Sequence, residues 1–288
     1  MPEIYDDKTW VSEDGLTLNY RDYPARSDTG QLPIICLHGL TRNARDFESL
    51  AAHLSETRRV IVPDMRGRGK SEYAPSPDTY KPKQYVEDVE LLLGEAGISR
   101  FISIGTSMGG IMTMLLAAND PDRIAGAVLN DIGPVIEPAG LERIGGYVGQ
   151  GRSYPTWVHA ARSLSETHGD AFPDYDLDQW LELAKRYMVV SQSGRISYDY
   201  DMAIAEPFSE ADNAAPPNLW LPFEALGKVP MLLVRGELSD LISDDTIKQM
   251  SARCPLMSTI TVARVGHAPT LDESEVRAAI ATLLDSLS

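Results

Sequence analysis

The chain has 288 residues, 43% of them apolar and 24% charged, a balance that suits one large folded domain or a domain carrying an insertion. Its formal net charge of −16 argues against nucleic acid or an anionic membrane surface as a partner, because both are polyanions. No apolar run approaches the roughly 20 residues that span a bilayer, the acidic start "MPEIYDDKTW" has no basic region followed by an apolar stretch, and there are only two cysteines, Cys36 and Cys254, so the expected setting is a reducing cytoplasm.

In chain order, "TLNYRDY" alternates behind the turn signal "EDG" and predicts an antiparallel hairpin over residues 10–23. Four short β-branched runs follow: "PIICLHG", "RRVIVPDM", "RFISIGTS" and "IAGAVLND". They read as buried strands of a parallel sheet. Helical periods lie between them; in "QYVEDVELLLGEAG", Val86, Val89, Leu92, Leu93 and Ala96 recur at three- and four-residue spacing. Such alternation predicts an α/β fold, a mostly parallel central sheet with helices on both faces.

The pattern breaks over residues 133–222. Only helical or irregular segments are expected there, such as "TWVHAARSLSETHG" and "DLDQWLELAKRYMVV", with Pro216 and Pro217 marking a loop near the end. Alternation resumes with "VPMLLVRGE", "STITVARVG" and "ESEVRAAIATLLDSL". Residues 1–132 and 223–288 are therefore expected to form one α/β core, and 133–222 an inserted helical cap over the carboxyl edge of its sheet. That edge is where open α/β sheets bind ligands.

The chemistry-bearing motif is "GTSMGG" at 105–110. A strand, G-x-S-x-G and a helix in succession place Ser107 on a tight turn with its oxygen exposed, and small neighbours let strand and helix approach. A serine hydroxyl is a poor nucleophile until a base takes its proton. Among five histidines, His267 in "RVGHAPTLDE" follows the last strand and precedes the last helix, so it sits at the carboxyl edge within reach of Ser107. His38 is expected to fix its own loop by hydrogen bonds. Two carboxylates compete to orient His267: Asp240, just beyond the strand in "VPMLLVRGELSD", and Asp131, which ends "IAGAVLND". Asp240 is preferred because the chain order Ser, Asp, His is the one this architecture uses. The backbone amides of Leu40, in "CLHGLTRN", and of Met108 are expected to form an oxyanion hole. "RGRGKSE" at 66–72 ends like a phosphate loop, but position 64, where that motif needs glycine, is Asp64, so a tight turn is expected instead. No His, Cys or carboxylate pair has metal-ligand spacing.

With these parts in place, the chain resembles the α/β-hydrolase superfamily over nearly its whole length. The resemblance rests on "HGL" at 38–40, "DMRGRGKS" at 64–71, "GTSMGG" at 105–110, "RGELSD" at 235–240 and "GHAPTLDE" at 266–273. It implies a Ser-His-Asp triad beneath a lid built from the insertion, and it adds no cofactor. The pattern is similar to the capped esterase, lactonase and carbon–carbon hydrolase branches. Dehalogenases and epoxide hydrolases carry aspartate at the elbow, where this chain has Ser107. Meta-cleavage-product hydrolases usually place tryptophan after the catalytic histidine, where this chain has Ala268.

The expected activity is hydrolysis of a carboxylic ester or lactone of a small to medium, largely apolar molecule through an acyl-enzyme. Carbon–carbon hydrolase, thioesterase and acyltransferase are the alternatives within the fold, and a ligand-binding receptor is the non-enzyme alternative. Tyr147 and Trp157 are the cap residues expected to line the pocket. Residues 133–222 carry 6 Lys and Arg against 13 Asp and Glu, so a neutral substrate is expected unless one arginine, such as Arg42 or Arg143, overrides the average. The expected partner is a small-molecule substrate.

Overall fold

The computed structural model describes residues 4–27, 30–207 and 218–287; Pro216 and Pro217 lie outside them. Strands β1 (Asp6–Val11) and β2 (Thr17–Tyr23) form the expected antiparallel hairpin. The central sheet adds β3 (Ile34–Leu37), β4 (Val60–Pro63), β5 (Phe101–Thr106), β6 (Ile124–Asn130), β10 (Met231–Gly236) and β11 (Met257–Val262). Its order is β1-β2-β4-β3-β5-β6-β10-β11, and every pairing beyond β2–β4 is parallel. The chain leaves β3 for β4 on one side and returns to β5 on the other. The carboxyl ends of β3 and β5 thus flank the switch in strand order, where a crevice opens in sheets of this kind.

The short apolar runs are buried on both sides because successive side chains point to opposite faces. Ile35 and Leu37 join one apolar cluster, Ile34 and Cys36 the other. Helices α2 (Pro82–Glu95), α3 (Met108–Asn119) and α8 (Asp244–Arg253) cover the first face; α1 (Glu48–Leu54) and α9 (Ser274–Asp285) cover the second. In α2 the periodic residues Val86, Val89, Leu92 and Leu93 are all buried. Each contributes roughly 1.5–3 kcal/mol by leaving water. Cys36 and Cys254 are both buried free thiols.

Between β6 and β10 the chain builds α4 (Pro138–Gly145), α5 (Trp157–His168), α6 (Leu177–Tyr187) and α7 (Trp220–Glu224). The insertion is not wholly helical or irregular as its pattern suggested. Strands β7 (Ser153–Tyr154), β8 (Met188–Val190) and β9 (Ile196–Tyr198) form a small antiparallel sheet in the order β7-β9-β8. The β8–β9 hairpin turns at Gly194, φ 76°, and strands of two or three residues are too short to display a period of two. In α6, the capping box of Asp176 and Gln179 starts the helix, and Trp180, Leu183, Ala184 and Tyr187 form its buried stripe.

The turn at 66–72 holds this insertion to the sheet. Gly67 and Gly69 have φ of 75° and 56°, and a methyl at Gly69 would lie 2.3 Å from the Asp64 carboxyl carbon. The Gly69 amide donates to the Asp199 carbonyl, and the Asp201 amide donates to the Gly67 carbonyl at 2.7 Å. The phosphate-loop-like sequence is thus a backbone splice between core and cap. Among the described residues no helix is long and apolar enough to cross a membrane, and no His, Cys, Asp and Glu group is arranged to hold a metal ion.

Candidate active site

Ser107 links β5 to α3 with φ 53° and ψ −116°, a conformation that a non-glycine residue rarely adopts. The neighbouring glycines make the turn possible. A methyl at Gly109 would sit 1.9 Å from the Leu37 carbonyl oxygen, and one at Gly105 would meet the Gly109 backbone at 2.4 Å. Strand and helix therefore touch through backbone, and the serine is pushed out at the crest. Its amide donates to the Asn130 carbonyl at 3.0 Å, tying the elbow to the end of β6.

His267 follows β11 and reaches the elbow. Its Nε2 lies 2.9 Å from Ser107 Oγ, and its Nδ1 lies 2.8 Å from Asp131 Oδ2. An ionised carboxylate only accepts, so Asp131 holds the proton on Nδ1, and Ser107 donates its own to Nε2. The loop carrying His267 is strapped down by the Asn130 side-chain amide, which donates to the Pro269 carbonyl at 2.8 Å and to Thr106 Oγ1 at 3.1 Å.

The carboxylate beside His267 is thus Asp131, and the preference for Asp240 is corrected. Asp131 is completely buried and has φ 55°, a left-handed conformation that aspartate tolerates better than most residues. Its amide donates to the Val234 carbonyl at 2.7 Å. Its Oδ1 accepts from the Gly236 amide at 2.9 Å, and its Oδ2 accepts from Ser239 Oγ at 2.7 Å as well as from His267. Asp240 is engaged by another partner. It receives Nε and Nη2 of Arg143 at 2.6 and 2.8 Å, and this fork holds its carboxyl below the usual range. Helix α4 lies so close that a methyl at Gly140 would be 2.7 Å from the Asp240 carbonyl oxygen. Asp240 is a clasp between the core and the cap.

His38 behaves as expected. It is fully buried, pairs with the Gly39 carbonyl through Nδ1 at 2.8 Å, and accepts from the Met65 amide through Nε2 at 3.1 Å. Burial pushes its pKa down to about 3, so it stays neutral and holds the loop after β3. Arg68, also fully buried, donates from Nε to the Leu40 carbonyl at 2.9 Å and from Nη1 to Tyr85 Oη at 2.9 Å. Among the described residues, the amides of Leu40 and Met108 have no acceptor. They remain available as the expected donor pair.

The cap contributes a residue that sequence reasoning passed over. His168 ends α5 and packs edge-on against Tyr147, with ring centroids 4.9 Å apart. Ala171, three residues on, accepts from the Gly266 amide at 2.6 Å, which brings this end of the cap against the residue before His267. Burial first, and then the positive charges of Arg42 and Arg143, push the His168 pKa down to about 3. Nothing in "SETHG" distinguishes this histidine from one on an exposed helix end. Tyr147 packs against His168 and lies beside Arg143, and burial raises its pKa. Trp157 opens α5, about 16 Å along the helix from His168 at 1.5 Å per residue, and packs at the edge of the second apolar cluster.

The fold is shared with known proteins. A family model described as the alpha/beta hydrolase fold matches residues 33–274. A 3-hydroxybutyrate-oligomer hydrolase of Cupriavidus necator is 36% identical over 244 residues, 82% of this chain and 83% of that one. A 2-(acetamidomethylene)succinate hydrolase of Mesorhizobium japonicum is 25% identical over 256 residues, 88% of this chain and 85% of that one. The crystal structure of an alpha/beta hydrolase from Novosphingobium aromaticivorans superposes with a TM-score of 0.94 at 55% identity, covering 99% of each chain.

Proposed function

The chain belongs to the α/β-hydrolase family, and from that premise we propose that it is a serine hydrolase that cleaves carboxylic esters through an acyl-enzyme, with short hydroxy-acid esters as its substrate class. The observation that carries the reading is the unbroken line from Ser107 Oγ through His267 to Asp131, at 2.9 and 2.8 Å. The similarity to a 3-hydroxybutyrate-oligomer hydrolase supports the ester and the hydroxy acid.

In this reading His267 Nε2 takes the Ser107 proton as Oγ attacks the ester carbonyl carbon. Asp131 steadies the imidazolium so formed. The Leu40 and Met108 amides, helped by the N-terminus of α3, hold the oxyanion; each such donor is typically worth about 3 kcal/mol. The leaving alcohol takes the proton from Nε2. Water then repeats the sequence, releasing the acid and restoring the serine. His168, kept neutral, adds no positive charge to oppose formation of the His267 imidazolium.

Two measurements test the proposal. A fluorophosphonate probe should label the wild-type chain at Ser107 and leave Ser107→Ala unlabelled. A panel of p-nitrophenyl esters should be hydrolysed by the wild type, and Ser107→Ala should lose at least about three decades of kcat. Absence of both labelling and turnover in the folded wild type removes the proposal.

A further inference from the structure

The loop after β3 carries a cation that the triad does not use. The Arg42 amide donates to the Gly39 carbonyl at 3.2 Å, so the chain turns back and brings Arg42 over Gly39. A methyl placed on Gly39 would lie 3.4 Å from Arg42 Cγ and 3.7 Å from Ser107 Cβ. The stem of the arginine and the reacting serine therefore border the same space. Arg42 also lines a small cleft with Thr106, which precedes Ser107, and with Ala268 and Pro269, which follow His267.

The guanidinium is held but not satisfied. Its Cζ lies 3.5 Å from the centre of the Tyr187 ring, so the plane is fixed by stacking against the end of α6. Its one carboxylate contact among the described residues is Nη1 to Asp46 Oδ1 at 3.3 Å, a single long bond. Arg143 makes the contrast clear, since its Nε and Nη2 donors are both taken by the Asp240 carboxylate. The Arg42 side chain is only 18% exposed. A largely buried guanidinium with open donors lacks much of its hydration, and a second carboxylate would replace it with two parallel charge-assisted bonds.

Building on the serine-hydrolase reading, we propose that Arg42 forms an anion subsite beside Ser107 that takes a free carboxylate of the substrate, so that the preferred ester is one whose molecule also carries an unesterified acid. The acidic composition of the cap points to a neutral substrate, but the long-range field of scattered surface carboxylates is screened within about 10 Å. A partly buried contact is not. The local guanidinium therefore decides what the site accepts. A purely structural role for Arg42, pinning the cap through Tyr187, would weaken all substrates alike.

The test compares two molecules with the same scissile bond, 3-butyryloxybutanoate and 3-butyryloxybutanamide, followed by release of butyrate. The wild type should favour the acid over the amide at least tenfold in kcat/KM. Arg42→Gln should lower that ratio by tenfold to a hundredfold, mainly through KM of the acid, the range expected for a charge-assisted pair. Arg42→Lys should restore part of the ratio, because it returns the charge without the fork. As a measurement that needs no variant, 3-hydroxybutyrate should inhibit the wild type competitively more strongly than 3-hydroxybutanamide. A wild-type ratio of one or less overturns the subsite, and so does a ratio unchanged in Arg42→Gln or an equal fall on both substrates. These failures leave fluorophosphonate labelling of Ser107 intact, whereas failure of the serine-hydrolase reading abolishes it.

Discussion

Replacing each of two aspartates by asparagine separates the carboxylate hydrogen-bonded to His267 from the one preferred on sequence. Asp131 accepts three hydrogen bonds, from His267 Nδ1, Ser239 Oγ and the Gly236 amide. Asparagine offers one oxygen and one NH2 group. With its oxygen kept on the Gly236 amide, the NH2 group faces His267 and forces the ring proton onto Nε2, the nitrogen that must receive the Ser107 proton. A wrong tautomer of this kind typically costs about 10⁴ in kcat, which is about 5 kcal/mol at 1.36 kcal/mol per decade. Asp240→Asn leaves the three-residue line untouched. It weakens a clasp whose side chains are 30% and 32% exposed, so the stability cost should stay below about 1 kcal/mol, and kcat should fall less than tenfold. The assay is steady-state hydrolysis of p-nitrophenyl butyrate, with fluorophosphonate labelling rate as a second readout and circular dichroism melts to confirm folding. A thousandfold loss in Asp240→Asn beside near-normal turnover in Asp131→Asn would falsify the assignment.

Three further outcomes follow from the same coordinates. Gly109→Ala puts a methyl 1.9 Å from the Leu37 carbonyl oxygen; the strand and helix cannot part cheaply, so calorimetry should show a loss of about 3 kcal/mol or more, or no soluble protein. Asn130→Ala removes the bonds to Thr106 and Pro269, which should cost about 1–3 kcal/mol in a denaturant melt and lower kcat about tenfold, because the loop carrying His267 loses its strap. Stability should also fall as pH drops below 6.5. His38 and His168 have folded pKa values of about 3, against 6.5 unfolded, so the unfolded chain binds more protons between those limits. The stabilisation is complete above pH 6.5 and falls by about 3 kcal/mol per histidine by pH 4.5. Asp64, raised to about 6 by burial, has the opposite sign and returns about 2 kcal/mol over the same interval. The net loss of about 4 kcal/mol should appear in urea melts at pH 4.5 against pH 7, and no loss there would refute the burial of the two histidines as neutral rings.

The parts of this protein that sequence makes legible are those whose signal is local. An alternating or β-branched run carries its own burial pattern, so the strands of the sheet could be placed before any coordinate was known. Ser107 was legible for the same reason: the glycines that let β5 and α3 touch lie within three residues of it. His267 was found by its place between the last strand and the last helix. The acid had no such signature. Asp131 and Asp240 both follow strands of the same sheet, both leave it at the carboxyl edge, and both satisfy the order Ser, Asp, His. What separates them is three-dimensional. Ser239 donates its hydroxyl to Asp131, and Arg143, 97 residues before Asp240, engages that carboxylate. Arg42 and His168 fall in the same class. Each is placed by the ring packed against it, Tyr187 across the seam between core and insertion for Arg42 and Tyr147 within the insertion for His168, and such pairings leave no periodic trace in the chain. The seam between sheet and insertion is therefore where sequence reading stops, which is why the acid-versus-amide comparison at Arg42 tests function more directly than any further motif.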